Sequence, residues 1–208
     1  MLGMNKTSLI NSSRRLVLGT VLTMAALAST GCVQLKSYVD PKLPRASLND
    51  LHPSASPQPL QLAFEFQVNG KSHPSIARKH RPQVVRVLSD SKLFSTISSS
   101  NSTETAQLQI VMNDQADIGD AVGKGLMTGL TFGGAGSLVT DGFLFTASYT
   151  APGKAPVTKT YQHALHSTIG NKKGPEGLEP KSLNDAFAEV LEQLMLNLLR
   201  DLQNDAAL

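Results

Sequence analysis

Leu183, Phe187, Val190, Leu191, Leu194, Leu198 and Leu202 recur at three- and four-residue spacing near the end of the chain. This is the stripe of an amphipathic helix about five turns long, polar on its other side. Ser182 stands where an N-cap is needed, with Asp185 three residues on, close to a capping box. Such a stripe has to be covered by an apolar surface of similar length. The sequence supplies one in residues that alternate with period two, the signature of strands with a single buried face. Residues 60–68 place Leu60, Leu62, Phe64, Phe66 and Val68 on one side, and Asn69–Gly70 then turns the chain. Residues 107–113 do the same through Leu108, Ile110 and Met112. Residues 142–150 repeat it through Phe143, Phe145, Ala147 and Tyr149, and residues 157–165 through Val157, Lys159, Tyr161, His163 and Leu165.

Between the first two of these strands, Val84, Val85 and Leu88 form a shorter helical stripe, expected to start near Pro82, since proline suits a first turn. A short strand is expected around 94–98. The element order implies an α+β fold: an antiparallel sheet of four to five strands with two helices packed on one face, plus a Gly-rich apolar insert.

Ahead of the domain, residues 16–32 read LVLGTVLTMAALASTGC behind Arg14 and Arg15. A basic start, a short apolar run and small residues make an export signal. The run is shorter than the roughly 20 apolar residues that span a bilayer. It resembles the bacterial lipoprotein signal, whose lipobox ends in two small residues and cysteine; here Thr30 and Gly31 precede Cys32, with Ser29 where leucine is usual. The resemblance implies cleavage after Gly31, and a covalent diacylglycerol and N-acyl chain on Cys32, with no other cofactor. Sorting rules for such lipoproteins retain those with aspartate after the cysteine at the inner membrane. Val33 and Gln34 imply the periplasmic face of the outer membrane. Cys32 is the single cysteine, so no intrachain disulfide forms.

Three segments follow: a signal peptide over 1–31, a lipidated cysteine and Pro-rich tether over 32–59, and one α+β domain over 60–208. Pro41, Pro44, Pro53, Pro57 and Pro59 argue against long regular structure in the tether, apart from one helical turn around 46–51. Of the 19 Lys and Arg, Lys6, Arg14 and Arg15 lie in the signal and none of the 16 Asp and Glu does. The chain from Cys32 onward therefore carries 16 of each sign. That balance gives no electrostatic footprint for nucleic acid, and the basic groups at 78–81 and 172–173 read as solvated surface.

The Gly-rich insert, residues 119–141, contains AVGKGLMTGLTFGGAGSLVT, with Lys124 its only charge between Asp120 and Asp141. Gly125, Gly129 and Gly133 stand four apart, the small-xxx-small spacing that lets helices approach closely. The segment either packs on its own domain, associates with a second copy, or enters the bilayer. Asp141–Gly142 is expected as a turn.

No catalytic motif emerges, neither G-x-S-x-G nor H-E-x-x-H. His163 and His166 fall on opposite strand faces, and His73 and His80 lack ligand-spaced partners, so no metal site is expected. Glu189 and Glu192 lie on the polar side of the last helix. The element order, the helix ending at Leu93–Phe94 and the insert before DGFLFTASYT resemble small α+β outer-membrane lipoproteins over residues 60–203. These include activators of peptidoglycan synthases, curli-export lipoproteins and the N-terminal domain of the Tol β-propeller protein. The resemblance implies a non-catalytic adaptor in an envelope complex, held to the membrane and bound to an envelope protein. A membrane-inserting, pore-forming oligomer is the second reading. A periplasmic hydrolase is the third, and it requires His163 or His166 in a cleft with a carboxylate and a serine within hydrogen-bond reach.

Overall fold

The computed structural model describes residues 35–99, 105–116 and 136–208, within one unit spanning Gln34–Leu208. The strands are β1 (Leu35–Val39), β2 (Gln58–Val68), β3 (Lys71–Ser72), β4 (Phe94–Ser98), β5 (Ala106–Ala116), β6 (Ser137–Thr150) and β7 (Val157–Ile169). The helices are α1 (Pro74–Asp90) and α2 (Leu183–Asn204). The sheet has seven strands in the order β1-β7-β6-β5-β2-β3, with β4 beside β2. The α+β class and the two helices on one face are as expected. The four to five strands become seven, and the sheet is mixed, because β2 runs parallel to both β5 and β4. Period-two alternation fixes which face a residue takes but not the direction of its neighbour.

The apolar sets named from the sequence do form one core. Register places Phe66 beside Met112 and Met112 beside Phe145, and Phe145 beside Tyr161. Above them Val190, Leu191, Leu194, Leu198 and Leu202 of α2 and Val84 and Leu88 of α1 are fully buried. Phe187 packs against Phe66, Phe143 and His80, joining both helices to the sheet. Ser182 caps α2 by accepting from the Asp185 N–H at 3.1 Å.

Four further expectations change. First, α1 begins at Pro74, eight residues before Pro82, which lies inside the helix. Both prolines suit a first turn, and Pro74 takes it, so the pattern had two admissible starts. Second, residues 32–59 are not a free tether over their described part. β1 pairs with β7 from Leu35↔Ile169 to Val39↔Leu165, and all five prolines fall after it. The stretch beyond β1 is a strap across α2. Ala46 and Leu51 are buried, the Asn197 side chain donates to the Pro44 carbonyl at 2.8 Å, and Gln203 both accepts from His52 N–H and donates to its carbonyl. The expected helical turn is there, as a 3-10 turn at Leu48–Asp50. Third, Asp141–Gly142 is not a turn but part of β6, opposite Ala116 and Gln115. A Cβ on Gly142 would stand 3.4 Å from the Gln115 carbonyl, an ordinary contact, so the strand runs through this position without requiring glycine. Fourth, the end of the insert, from Ser137, is therefore strand.

Candidate functional site

Cys32, Gly31, Gly125, Gly129 and Gly133 lie outside the described residues. Among the described residues no group of three or more His, Cys, Asp and Glu is placed to hold a metal ion. No described helix is long and apolar enough to cross a membrane.

The two strand histidines do point to opposite faces, as their spacing requires. His163 faces the helices. Its Nδ1 accepts the Ala164 N–H at 3.0 Å, which leaves Nε2–H to donate to Gln193 Oε1 at 2.8 Å. Burial depresses its pKa, so the imidazole is held neutral. Gln193 in turn donates to Glu189, whose two oxygens also meet Arg45 and Lys181 at 2.9 Å each. The hydrogen bond to Glu189 raises the Lys181 pKa. Glu189 is thus the hub of a polar network, whereas Glu192 is exposed as expected. A groove of about 410 Å³ runs beside this network, lined among others by Arg45, Lys181, Glu189 and Leu196.

His166 faces away from the helices. Its Nδ1 lies 2.8 Å from Thr140 Oγ1, and its Nε2 lies 3.4 Å from the Asp40 carboxylate, whose residue is 6% exposed. Cross-strand register brings them together: His166 stands opposite Thr140 on β6 and Tyr38 on β1, with Asp40 just past β1. A hydroxyl, an imidazole and a carboxylate joined in this way can move a proton. The hydrolase reading called for a serine and a cleft; a threonine takes the serine's place, and the 410 Å³ groove includes neither His166 nor Thr140. The arrangement ties β1, β7 and β6 together. Its partners are remote in sequence, and only the strand register, absent from the pattern, could have revealed them.

A pair of carboxylates sits on the helix-facing side where β5 and β6 part. Asp114 is flanked in register by Val68 and Phe143, and Asp141 by Leu165. Desolvation raises the Asp114 pKa to about 6, with the Asp141 charge adding to it, and burial raises that of Asp141 as well. Asp114 Oδ1 is buried without a hydrogen-bond partner among the described residues. The alternation of Leu108, Ile110 and Met112 predicts a strand only to residue 113, one short of Asp114, and the strand runs on to Ala116.

The other side of the sheet is lined largely by polar side chains. Gln107, Gln109, Asn113, Thr146, Ser148 and Thr160 alternate with the core residues across β5, β6 and β7. Among the described residues no helix or strand covers this side. The loop after β7 reaches one corner of it, where Gly174 stands so close to the Tyr38 ring that a Cβ would overlap the ring. From residue 61 to 67 on β2, 107 to 115 on β5, 142 to 150 on β6 and 158 to 164 on β7, Glu65 is the one outward residue with a charge.

No protein-family model matches this chain, and no curated protein matches it in sequence. Among solved structures it is distantly similar to rare lipoprotein B from Shewanella oneidensis, with a TM-score of 0.31 and 13% identity, over 72% of this chain and 94% of that one. It is similar in the same degree to an uncharacterized protein, with a TM-score of 0.32 and 13% identity, over 70% of this chain and 90% of that one. At that distance neither likeness carries an argument about activity.

Proposed function

We propose that this chain is a lipoprotein of the cell envelope, anchored through acyl chains on Cys32 at the periplasmic face of the outer membrane. In this reading it acts as a non-catalytic adaptor that docks an envelope protein on the open side of its sheet. The observation that carries the reading is the near-absence of charge on that side. Charged residues make up 17% of the chain, yet four adjacent strands present amides, hydroxyls and a few aliphatic groups with Glu65 alone ionised. Depletion of charge marks the centre of protein interfaces, where an unpaired ion would be desolvated. A face meant only for solvent gains solubility from Lys and Glu.

The test is photocrosslinking in intact cells from Gln109 and Thr160, with Glu192 on the exposed side of α2 as the contrast. A single protein adduct from the two sheet positions supports the adaptor. Adducts from Glu192 alone would remove it.

A membrane-inserting oligomer is the second reading, and one observation favours it. β5 and β6 are paired down to Ala116↔Asp141 and β6 begins at Ser137, so the chain between Ala116 and Gly136, which holds Gly125, Gly129 and Gly133, connects two neighbouring strands at the same end of the sheet. Deleting residues 119–136 from the lipidated protein distinguishes the two. An adaptor keeps its Gln109 adduct, whereas a pore former loses its detergent-resistant oligomer.

A further inference from the structure

Three strand positions define one end of the sheet. Leu35 opens β1 opposite Ile169, and Ile169 in turn lies opposite Ser137, the first residue of β6. One row in, Lys36, Thr168 and Leu138 stand side by side. Leu183, the first residue of α2, follows Lys181, which is bridged to Ser37 through both backbone hydrogen bonds. Leu35, Leu138 and Leu183 are 46%, 40% and 43% exposed, and with Leu48 and Leu208 they make up the large exposed apolar side chains of the described residues. Most of that exposed apolar surface is thus gathered at one end.

The loop leaving β7 is pinned to the same end. Gly136 adopts φ +64°, and a Cβ there would overlap the Ile169 carbonyl oxygen and stand 2.6 Å from the Lys172 backbone nitrogen. The glycine lets the loop lie flat against the start of β6, which fixes Lys172 and Lys173 beside the leucines. Lys36, Lys172 and Lys173 are exposed, and none is in an ion pair among the described residues. Glu176 and Glu179 are the exposed carboxylates of the same loop.

Cys32 precedes Leu35 by three residues, so its acyl chains enter the membrane no farther than about 11 Å from the first strand residue. We propose that the end bearing Leu35, Leu138 and Leu183, ringed by Lys36, Lys172 and Lys173, is a lipid contact that seats the domain upright on the membrane surface. This rests on the reading of Cys32 as lipidated. Leucines at that height reach the boundary between headgroups and acyl chains. The lysine stems lie along them and hold their ammonium groups among anionic headgroups. The opposite end, the turn between β6 and β7 with Lys154, then points away from the membrane by the length of β6, about 45 Å.

The acylated protein has no free thiol, so single cysteines report position. Ser137→Cys and Lys154→Cys are both exposed sites suited to a fluorophore. They would be carried by the full lipidated protein in vesicles of phosphatidylethanolamine and phosphatidylglycerol containing a quencher lipid. Quenching at 137 should exceed that at 154 by roughly tenfold, given the length of sheet between them. The triple variant Lys36→Gln/Lys172→Gln/Lys173→Gln should remove the excess quenching that anionic vesicles give over pure phosphatidylcholine. With acylation of Cys32 shown by mass, equal quenching at the two sites, or no change in the triple variant, overturns the lipid contact and leaves the adaptor standing. A bare Cys32 in protein from its own host removes both.

Discussion

The two sides of the sheet are written by alternate residues of the same strands, and they differ in every respect except backbone. On β5, Leu108, Ile110 and Met112 are fully buried while Gln107, Gln109 and Asn113 between them reach the other side. On β6, Phe143, Phe145, Ala147 and Tyr149 alternate with Leu144, Thr146 and Ser148. Hydrogen-bond ladders serve both sides equally, so the contrast lies in side chains alone. One side is given over to holding α1 and α2; the other, away from the Asp40–His166–Thr140 cluster at its β1 end, carries no helix among the described residues and is free to be used. Substitutions that respect or violate this division give a graded set of outcomes.

The largest effect belongs to the helix-bearing side. Phe145 is fully buried, beside Met112 in register and 6.2 Å from the Tyr161 ring. Phe145→Ala should lower stability by about 3–5 kcal/mol, through lost transfer energy and the cavity left behind. Urea unfolding measures it, and a loss under about 1 kcal/mol would mean that this side is not a packed core.

Asp114, beside Asp141, breaks the apolar pattern on the same side, and its effect has the opposite sign. The folded-state pKa of about 6 lies above the ordinary 3.8, so the folded protein holds the proton more tightly than the unfolded chain does. The ionised form therefore costs stability above about pH 6, and that cost fades as the pH falls through 6 toward 3.8. Asp114→Asn should stabilise at about pH 7.5 by about 1.5 kcal/mol after allowance for its partial exposure, or roughly 4 °C in Tm. The gain should shrink to nothing near about pH 4. A gain that stayed constant with pH would assign the effect to shape rather than charge.

Much of this division is legible in the sequence, because a two-residue period names the side of each residue before its neighbours are known. Phe66, Ile110, Phe145 and Leu194 all land where their spacing puts them. Other features depend on contacts that no local pattern encodes. β1 is five residues long and lies at the edge of the sheet, too short to show alternation beside a run of prolines. The parallel course of β2 and β5 follows from the crossover through α1 and β4, which hydrophobic period does not report. The Asp40–His166–Thr140 cluster and the Glu189 hub bring together residues from opposite ends of the chain, so spacing rules could name the members but not join them.

Ser182 tests how α2 is held over the helix-bearing side. Its hydroxyl accepts from the Asp185 N–H, satisfying one of the donors left free at the first turn. Ser182→Ala should cost about 1 kcal/mol, while Ser182→Asp should retain most of the stability. Thermal unfolding of the two variants together separates capping from a mere change of side-chain size, since an equal loss in both would exclude the cap.

The smallest effect on stability is expected where the largest effect on function is. Gln109 is exposed on β5 opposite Ser148, and Thr160 is exposed on β7 opposite Thr146. Neither side chain touches the helices, so the double variant Gln109→Ala/Thr160→Ala should stay within about 0.5 kcal/mol of the parent in urea unfolding. If this side docks an envelope protein, Gln109→Arg/Thr160→Arg should be equally folded yet lose capture of the partner from detergent-solubilised envelopes. The two arginines add charge to a contact in which Glu65 is the one charged residue, where desolvating an ion without a counter-charge costs several kcal/mol. A double arginine variant that folds and still captures the partner would show that the contact lies elsewhere. A double alanine variant that unfolds would show that the outward residues hold the fold together no less than the inward ones do.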